Sequence, residues 1–328
     1  MEAQMKKYEI AIIGGGASGL FAAICAAMYL EELGGRKEAE SIILLEKNDR
    51  VGKKLLITGN GRCNITNSGA GMSSYNGSGA GIAGELMNSC TPEKMLEVFH
   101  RIGIDCRREE EGRIYPESGQ ASSVLELMRM YLSAEKIEQR CGFVVKNIRK
   151  QKKEYILEGE KENIYAYQVI LATGGLAAPS TGADGSGYGL AAQFGHKRTP
   201  TFPALVQMKT EAARVRALKG NKCRAKVSVD ADGRIQAEES GEVLFTEYGL
   251  SGICIFQLSR LVSEFFRLGT VHGKKAKKVT ARLDLFPHLS SAEMRRYLDE
   301  RKKNLLSFPL ESFFYGVLPK QIGQELLK

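Results

Sequence analysis

The run Gly14-Gly15-Gly16-Ala17-Ser18-Gly19 carries glycines at the spacing G-x-G-x-x-G. Between a strand and a helix that spacing has a physical use. Gly14 permits a sharp turn, Gly16 has no side chain to hold a pyrophosphate away, and Gly19 lets the helix pack close to the sheet. The helix N-terminus, with Ala17 and Ser18 in its first turn, offers free N–H groups and a partial positive charge to phosphates. Glu46 is the second chemical residue. A carboxylate at the end of the next strand can accept hydrogen bonds from both hydroxyls of an adenosine ribose, and it disfavours a 2′-phosphate there. Glu46 lies further beyond Gly14 than the usual ~20 residues, and the segment 32–40 is expected to absorb the excess. The alternative is an unrelated strand–turn–helix with a surface glutamate.

A second polar block follows. Thr58, Asn60, Asn64, Thr66 and Asn67 are hydrogen-bonding side chains in a loop loosened by Gly59 and Gly61, and Lys53, Lys54 and Arg62 add positive charge. This suits a pyrophosphate or a reduced, anionic ring system; the bland alternative is an ordinary polar loop. Cys63 invites a redox reading, but its nearest sequence neighbour among the cysteines is Cys90, so a packed thiol is the better expectation. The 7 cysteines are odd in number and widely spaced without C-x-x-C, and the 4 histidines stand far apart. A disulfide framework and a metal site are therefore not expected, and a reducing, cytoplasmic compartment fits. There is no G-x-S-x-G and no P-loop, so hydrolase chemistry has no support.

The elements that must position these residues can be read from periodicity. Tyr8 to Ile13 and Ser41 to Glu46 read as buried parallel strands around a helix from Ala17 to Leu33, stopped by Gly34-Gly35. Residues 47–84 show little periodicity and read as a long functional loop. Thr91 caps a helix that begins at Pro92 and ends at Gly103; a second helix is expected from Ser122 to Ala134. Strands are expected at Lys136–Cys141, Phe143–Ile148, Glu154–Leu157 and Tyr167–Thr173, the last running into Gly174-Gly175. Beyond residue 197 the pattern becomes strands and turns, including Lys226–Val229, Asp232-Gly233 and Glu242–Phe245, with a helical end from Ser291.

Composition bounds the rest. The chain has 328 residues, enough for about two domains, with 43% hydrophobic and 26% charged residues. More than half of the 36 glycines fall in 14–19, 52–84 and 174–195, which points to turns or close backbone approach to a ligand. The formal charge is +9. The densest basic run, Gly273–Lys278, reads as a solvated loop, so no nucleic-acid partner is expected. Ile10 to Leu30 carries no charge, but its four glycines favour a strand, turn and helix over a membrane span.

The block Val51–Asn67 (VGKKLLITGNGRCNITN) resembles the signature of the HI0933-like flavoproteins, NAD(P)/FAD-dependent oxidoreductases of the two-dinucleotide-binding-domain type. Ala172-Thr173-Gly174-Gly175, Pro179–Tyr188 and Gly241–Ser251 are similar to further blocks of that family, and the resemblance covers essentially the whole chain. It implies FAD as cofactor, with NAD(P)H as a possible electron donor and a small-molecule substrate. It implies that residues around Arg62, Cys63 and Asn64 lie close to the isoalloxazine ring, that Thr173, Gly174 and Gly175 abut the cofactor, and that the Val145 backbone meets adenine. With the residues above, the expected cofactor-binding set is Gly14, Gly16, Ala17, Ser18, Gly19, Glu46, Lys47, Lys54, Thr58, Gly59, Arg62, Cys63, Asn64, Val145, Thr173, Gly174 and Gly175. No side chain can be named as a catalytic acid or base.

The expected architecture is an α/β, FAD-binding Rossmann-like domain over 1–197 and an inserted mostly-β domain, ending in helices, over 198–328. Two departures from the family's pattern stand out. Ile253 occupies a position where the group usually has proline, and no segment returning the chain to the first domain follows the insert. The closing strand of the first domain is accordingly expected to be absent. A second reading follows, of a truncated family member that binds dinucleotide weakly or not at all and is not catalytic. A third, an NAD-only dehydrogenase, leaves the 52–67 loop without a use.

Overall fold

The computed structural model describes residues 6–33, 41–76, 79–211 and 213–328. The expected helix stop at Gly34-Gly35, and most of the segment expected to absorb the extra length before Glu46, lie outside the described residues. The chain divides into two compact units, Met1–Arg198 and Thr199–Lys328.

The first unit is built from β1 (Lys7–Ile13), α1 (Ala17–Glu32), β2 (Ile42–Glu46), β3 (Thr66–Asn67), α2 (Ala80–Ser89), α3 (Pro92–Arg101), β4 (Cys106–Arg108), β5 (Arg113–Pro116), α4 (Ala121–Ala134), β6 (Glu138–Cys141), β7 (Asn147–Gln151), β8 (Glu154–Glu158), β9 (Asn163–Leu171) and α5 (Ser186–Ala192). Its main sheet has the order β6-β2-β1-β9-β8-β7. The pairs β6/β2, β2/β1 and β1/β9 are parallel, and β9/β8/β7 are antiparallel.

Alternation along β1 and β2 explains why these runs are apolar throughout. Ile12, Ile42 and Leu44 enter one core with Leu20, Ile24 and Met28 of α1 and Val124, Met128 and Leu132 of α4. Ala11, Ile13, Ile43 and Leu45 enter the opposite core with Leu157, Ile164 and Leu190. A strand covered on both faces needs apolar residues at successive positions. The chain moves from β1 to β2 on one side and later places β9 on the other. The carboxyl ends of β1 and β9 therefore flank a topological switch point, where open α/β sheets bind ligands.

Several expected elements shift. The strand expected at Phe143–Ile148 begins only at Asn147. Gly142, at φ 72°, turns the chain out of β6, and the N–H of Phe143 donates to the Glu46 carbonyl at 2.9 Å. Phe143 thus lies against the end of β2, and the chain reaches β8 at Lys146, whose N–H donates to the Glu158 carbonyl at 2.8 Å. The expected loop 47–84 contains a 3-10 segment at Leu55–Gly61, strand β3 and the start of α2. β3 joins β5 and β4 in a small antiparallel sheet, order β3-β5-β4, whose strands are too short for a period-2 signal.

The second unit contains β10 (Met208–Lys209), α6 (Ala213–Ala217), β11 (Lys222–Ala231), β12 (Arg234–Phe245), β13 (Gly249–Ser251), α7 (Ile253–Leu268), β14 (Thr270–Val271), β15 (Lys274–Lys275), β16 (Val279–Asp284), α8 (Ser291–Asn304) and α9 (Lys320–Leu326). Its sheet runs β10-β13-β12-β11-β16. Asp232 and Gly233, both at positive φ, make the tight turn of the β11–β12 hairpin. Helix α7 was not expected in a strand-rich stretch. Cys254, Ile255, Leu258 and Leu261 pack it on Val227, Val229 and Val243 of the sheet, and their spacing is the helical signal that could have revealed it.

Candidate cofactor site

A cavity of about 590 Å³ opens in the first unit where β1, β2 and β9 end. Its floor is the glycine loop. The N–H of Gly14 donates to the Leu45 carbonyl at 2.7 Å and the N–H of Ala172 to the Ile13 carbonyl at 2.8 Å, so the three strand ends are laced together beneath the loop.

The glycines there have separate reasons to be glycine. Gly14 has φ +109°, and a Cβ on it would stand 2.5 Å from the Ala172 carbonyl oxygen. On Gly19 a Cβ would stand 1.8 Å from the carbonyl oxygen of Gly14. On Gly15 it would meet Val51 at 2.6 Å. Around Gly16 a Cβ would meet nothing within 4 Å. Protein packing thus demands glycine at 14, 15 and 19, while at 16 only something outside the chain can. Gly16 is also the N-cap of α1, with no capping side chain and no acid in the first turn. The free N–H groups and positive end of α1 therefore face open space, which is what an anion requires.

Glu46 lines the cavity but is 7% exposed and already engaged. Its Oε2 accepts from the Gly15 N–H at 2.7 Å, and its Oε1 accepts from the Asn48 N–H at 2.8 Å and Asn48 Nδ2 at 2.7 Å. A carboxylate has about four acceptor positions, so Oε2 retains one toward the cavity. The carboxylate shapes the glycine loop as well as offering a site for a hydroxyl.

Residues 174–186 run over the cavity as a strap, with Gly174, Thr181, Gly182, Ala183, Asp184 and Ser186 among its lining. Lys54 Nζ donates to the Ala177 carbonyl at 2.9 Å, and Lys47 Nζ pairs with Asp184 Oδ1 at 2.7 Å. The Lys47 ammonium, followed by the N–H and hydroxyl of Ser186, holds the Asp184 carboxyl far below the usual carboxylate range. Gly187, in the first turn of α5, leaves room for Thr173, whose Oγ1 would lie 1.8 Å from a Cβ there.

Of the expected cofactor residues, the structure brings Gly14, Gly16, Ala17, Ser18, Glu46, Lys47, Lys54, Thr58, Val145, Thr173 and Gly174 to the cavity lining. Gly19, Gly59, Arg62, Cys63, Asn64 and Gly175 lie outside it. Gly19 packs beneath Gly14, and a Cβ on Gly175 would stand 3.0 Å from the Tyr188 hydroxyl. Arg62 stacks over the Tyr115 ring, 4.1 Å from its centroid, and pairs with Glu109, whose carboxyl it holds below its ordinary range. Gly59, Asn60, Gly61 and Cys63 all have positive φ, which winds the backbone tightly at this point. Burial pushes the Cys63 thiol up, and burial followed by Asp105 pushes Cys106 up to about 11. Both favour the unreactive thiol. Asn48, Phe143, Val144 and the strap residues Thr181–Asp184 line the cavity without having been expected there. The third glycine cluster was the available signal for the strap.

Among the described residues no histidine or cysteine lines the cavity; its ionisable groups are Glu46, Lys47, Lys53, Lys54 and Asp184.

The HI0933-like protein Rossmann domain matches residues 8–291. A 3-dehydro-bile acid delta(4,6)-reductase of Clostridium scindens is 36% identical over 98% of this chain and 75% of its own length. Ribosomal RNA dihydrouridine synthases of Escherichia coli and Haemophilus influenzae are 25% and 27% identical, each over 78% of this chain. The chain spans 61% and 62% of their lengths. With the glycine loop, the acid at the end of β2 and the match over both units, the chain belongs to the HI0933-like family of flavoprotein oxidoreductases.

Proposed function

We propose that this chain is an FAD-dependent oxidoreductase that takes electrons from NAD(P)H and passes them to a small-molecule substrate. The observation that carries the reading is the open space at Gly16, beside the uncapped N-terminus of a long helix and within a cavity lined by Lys47, Lys54 and Glu46. The residues fit the cofactor. The α1 N–H groups would hold its pyrophosphate, the remaining acceptor position of Glu46 a ribose hydroxyl, and the backbone at Phe143–Val145 its adenine. FAD supplies the hydride and electron chemistry, and the protein binds, orients and shields it. The relative from Clostridium scindens, named for a bile-acid reductase, supports a small organic acceptor. The odd number and wide spacing of the seven cysteines fit a reducing, cytoplasmic setting. No helix among the described residues is long and apolar enough to cross a membrane.

The purified chain should be yellow, with bands near ~370 and ~450 nm for oxidised flavin, and should bleach with NADH or NADPH under anaerobic conditions. A colourless chain that added FAD does not restore would instead favour the weakly binding, non-catalytic alternative. Colour without bleaching by either nucleotide would remove NAD(P)H as donor.

A second reading, with RNA as the substrate, is favoured by the second unit. Nearly all of the formal charge of +9 falls on residues 199–328. The Asp232 carboxylate accepts from the N–H groups of Lys277 and Lys278 at 3.0 and 2.9 Å, which fastens the exposed run Lys274–Lys278 beside the β11–β12 turn that carries Arg234. The run expected to be a solvated loop is exposed, and its last two lysines are tied through their backbone to the turn at one end of the sheet. This reading expects RNA-hairpin binding that weakens steeply from 50 to 200 mM salt and is lost when the four lysines become alanine. Absence of binding at 50 mM salt would exclude it.

A further inference from the structure

We propose that Asn48 is a positioning residue of the cofactor site, one amide that sets both the ribose-side carboxylate and the strap over the cavity. The proposal rests on the flavin reading above and deepens it.

Asn48 donates twice to Glu46 Oε1, from its N–H at 2.8 Å and from Nδ2 at 2.7 Å. The same Nδ2 reaches the Thr181 carbonyl of the strap at 3.3 Å. An amide nitrogen carries two N–H donors, so both bonds are satisfied at once. The strap is shaped to receive it: Gly182 has φ +103°, and a Cβ there would stand 2.5 Å from Asn48 Nδ2. Glu46 Oε2 in turn holds the Gly15 N–H. The chain of contacts therefore runs from the glycine loop through Glu46 and Asn48 to the strap, three segments remote in sequence and all lining one cavity.

The chemistry at position 48 is specific. With its donors in place, Asn48 fixes the rotamer of Glu46 and leaves Oε2 turned to Gly15 and the cavity. It also anchors the middle of the strap, between the Lys54–Ala177 bond and the Lys47–Asp184 ion pair. Alanine would release the strap and leave Glu46 Oε1 with the backbone N–H of residue 48 alone. Aspartate has nearly the same shape but, when ionised, no donor, and it would set a carboxylate against Glu46 Oε1 and the Thr181 carbonyl. A residue that merely filled space would be rescued by aspartate; a residue that acts by donating would be harmed by it.

The test compares wild type, Asn48→Ala and Asn48→Asp in two measurements. The first is FAD affinity, read from quenching of flavin fluorescence. The second is the rate of thermolysin cleavage in the strap of the apo chain, where Leu176 is exposed. Expected are an affinity loss of about tenfold for alanine, a larger loss for aspartate, and faster strap cleavage in both variants. Wild-type affinity in the aspartate variant, or unchanged cleavage in both, would overturn the proposal. If the wild-type chain binds no FAD, the flavin reading fails while the cleavage comparison still decides the role of Asn48.

Discussion

Gly16→Ser should make the apo protein slightly more stable and the FAD complex about a hundredfold weaker. The two effects have opposite signs because they draw on the same N–H groups. Gly16 sits at φ −79° and ψ −172°, the extended conformation of an N-cap, and nothing within 4 Å would oppose a new Cβ. Serine is a better N-cap than glycine by a few tenths of a kcal/mol, since its hydroxyl accepts from the first turn of the helix. That hydroxyl would then occupy donors meant for a phosphate, and the Cβ would stand in the approach path. Loss of two hydrogen bonds to a charged group, at about 1.5 kcal/mol each, corresponds to about a hundredfold in affinity. The checks are the thermal midpoint of the apo chain and an FAD titration. A destabilised apo protein, or unchanged affinity, would show that Gly16 is glycine for another reason.

Gly19→Ala, three residues on, should do the reverse and damage the fold itself. The new methyl would lie 1.8 Å from the Gly14 carbonyl oxygen and 3.0 Å from its carbon. Both are backbone atoms of a loop already pinned to Leu45 and Ala172, so no side chain can swing aside. Helix α1 must pull away from β1, and its Leu20, Ala23 and Ile24 must leave a core in which they are fully buried. Overpacking costs typically 1–3 kcal/mol. With rigid atoms on both sides we expect about 3 kcal/mol or more, a large share of the ~5–15 kcal/mol that stabilises a domain. Urea unfolding of the apo chain measures it, and a loss below about 1 kcal/mol would contradict the packing argument.

These two glycines also mark how far the sequence could be read. The spacing G-x-G-x-x-G named both, and the strand before and helix after gave the motif its context. The motif already suggested that Gly16 answers to a ligand and Gly14 and Gly19 to the turn and the packing; what spacing could not supply was the atoms that enforce this, or the demand at Gly15, because those depend on where Ala172, Val51 and the Gly14 carbonyl lie in space. Glu46 is a similar case. Its place at the end of an apolar strand was legible, but its engagement with Gly15 and Asn48 was not. Arg62 was legible as a cation near the family's signature, whereas its pairing with Glu109 and stacking on Tyr115 require the small sheet β3-β5-β4.

By itself the sequence determined the elements whose signals are local: the apolar strands read at Tyr8–Ile13 and Ser41–Glu46, found at Lys7–Ile13 and Ile42–Glu46, helix α1 between them, the capped start of α3 at Thr91, and the glycine turn. Those follow from apolar periodicity, capping and the steric demands of single residues. Only the tertiary structure decided that β9 lies beside β1 and that the strap crosses the cavity. It alone brings Lys54 to a carbonyl 123 residues away and Asn48 to one 133 residues away. The physical reason is that these contacts end on backbone N–H and C=O groups, which every residue type carries, so the identity of the residue leaves no trace of the partner it will meet.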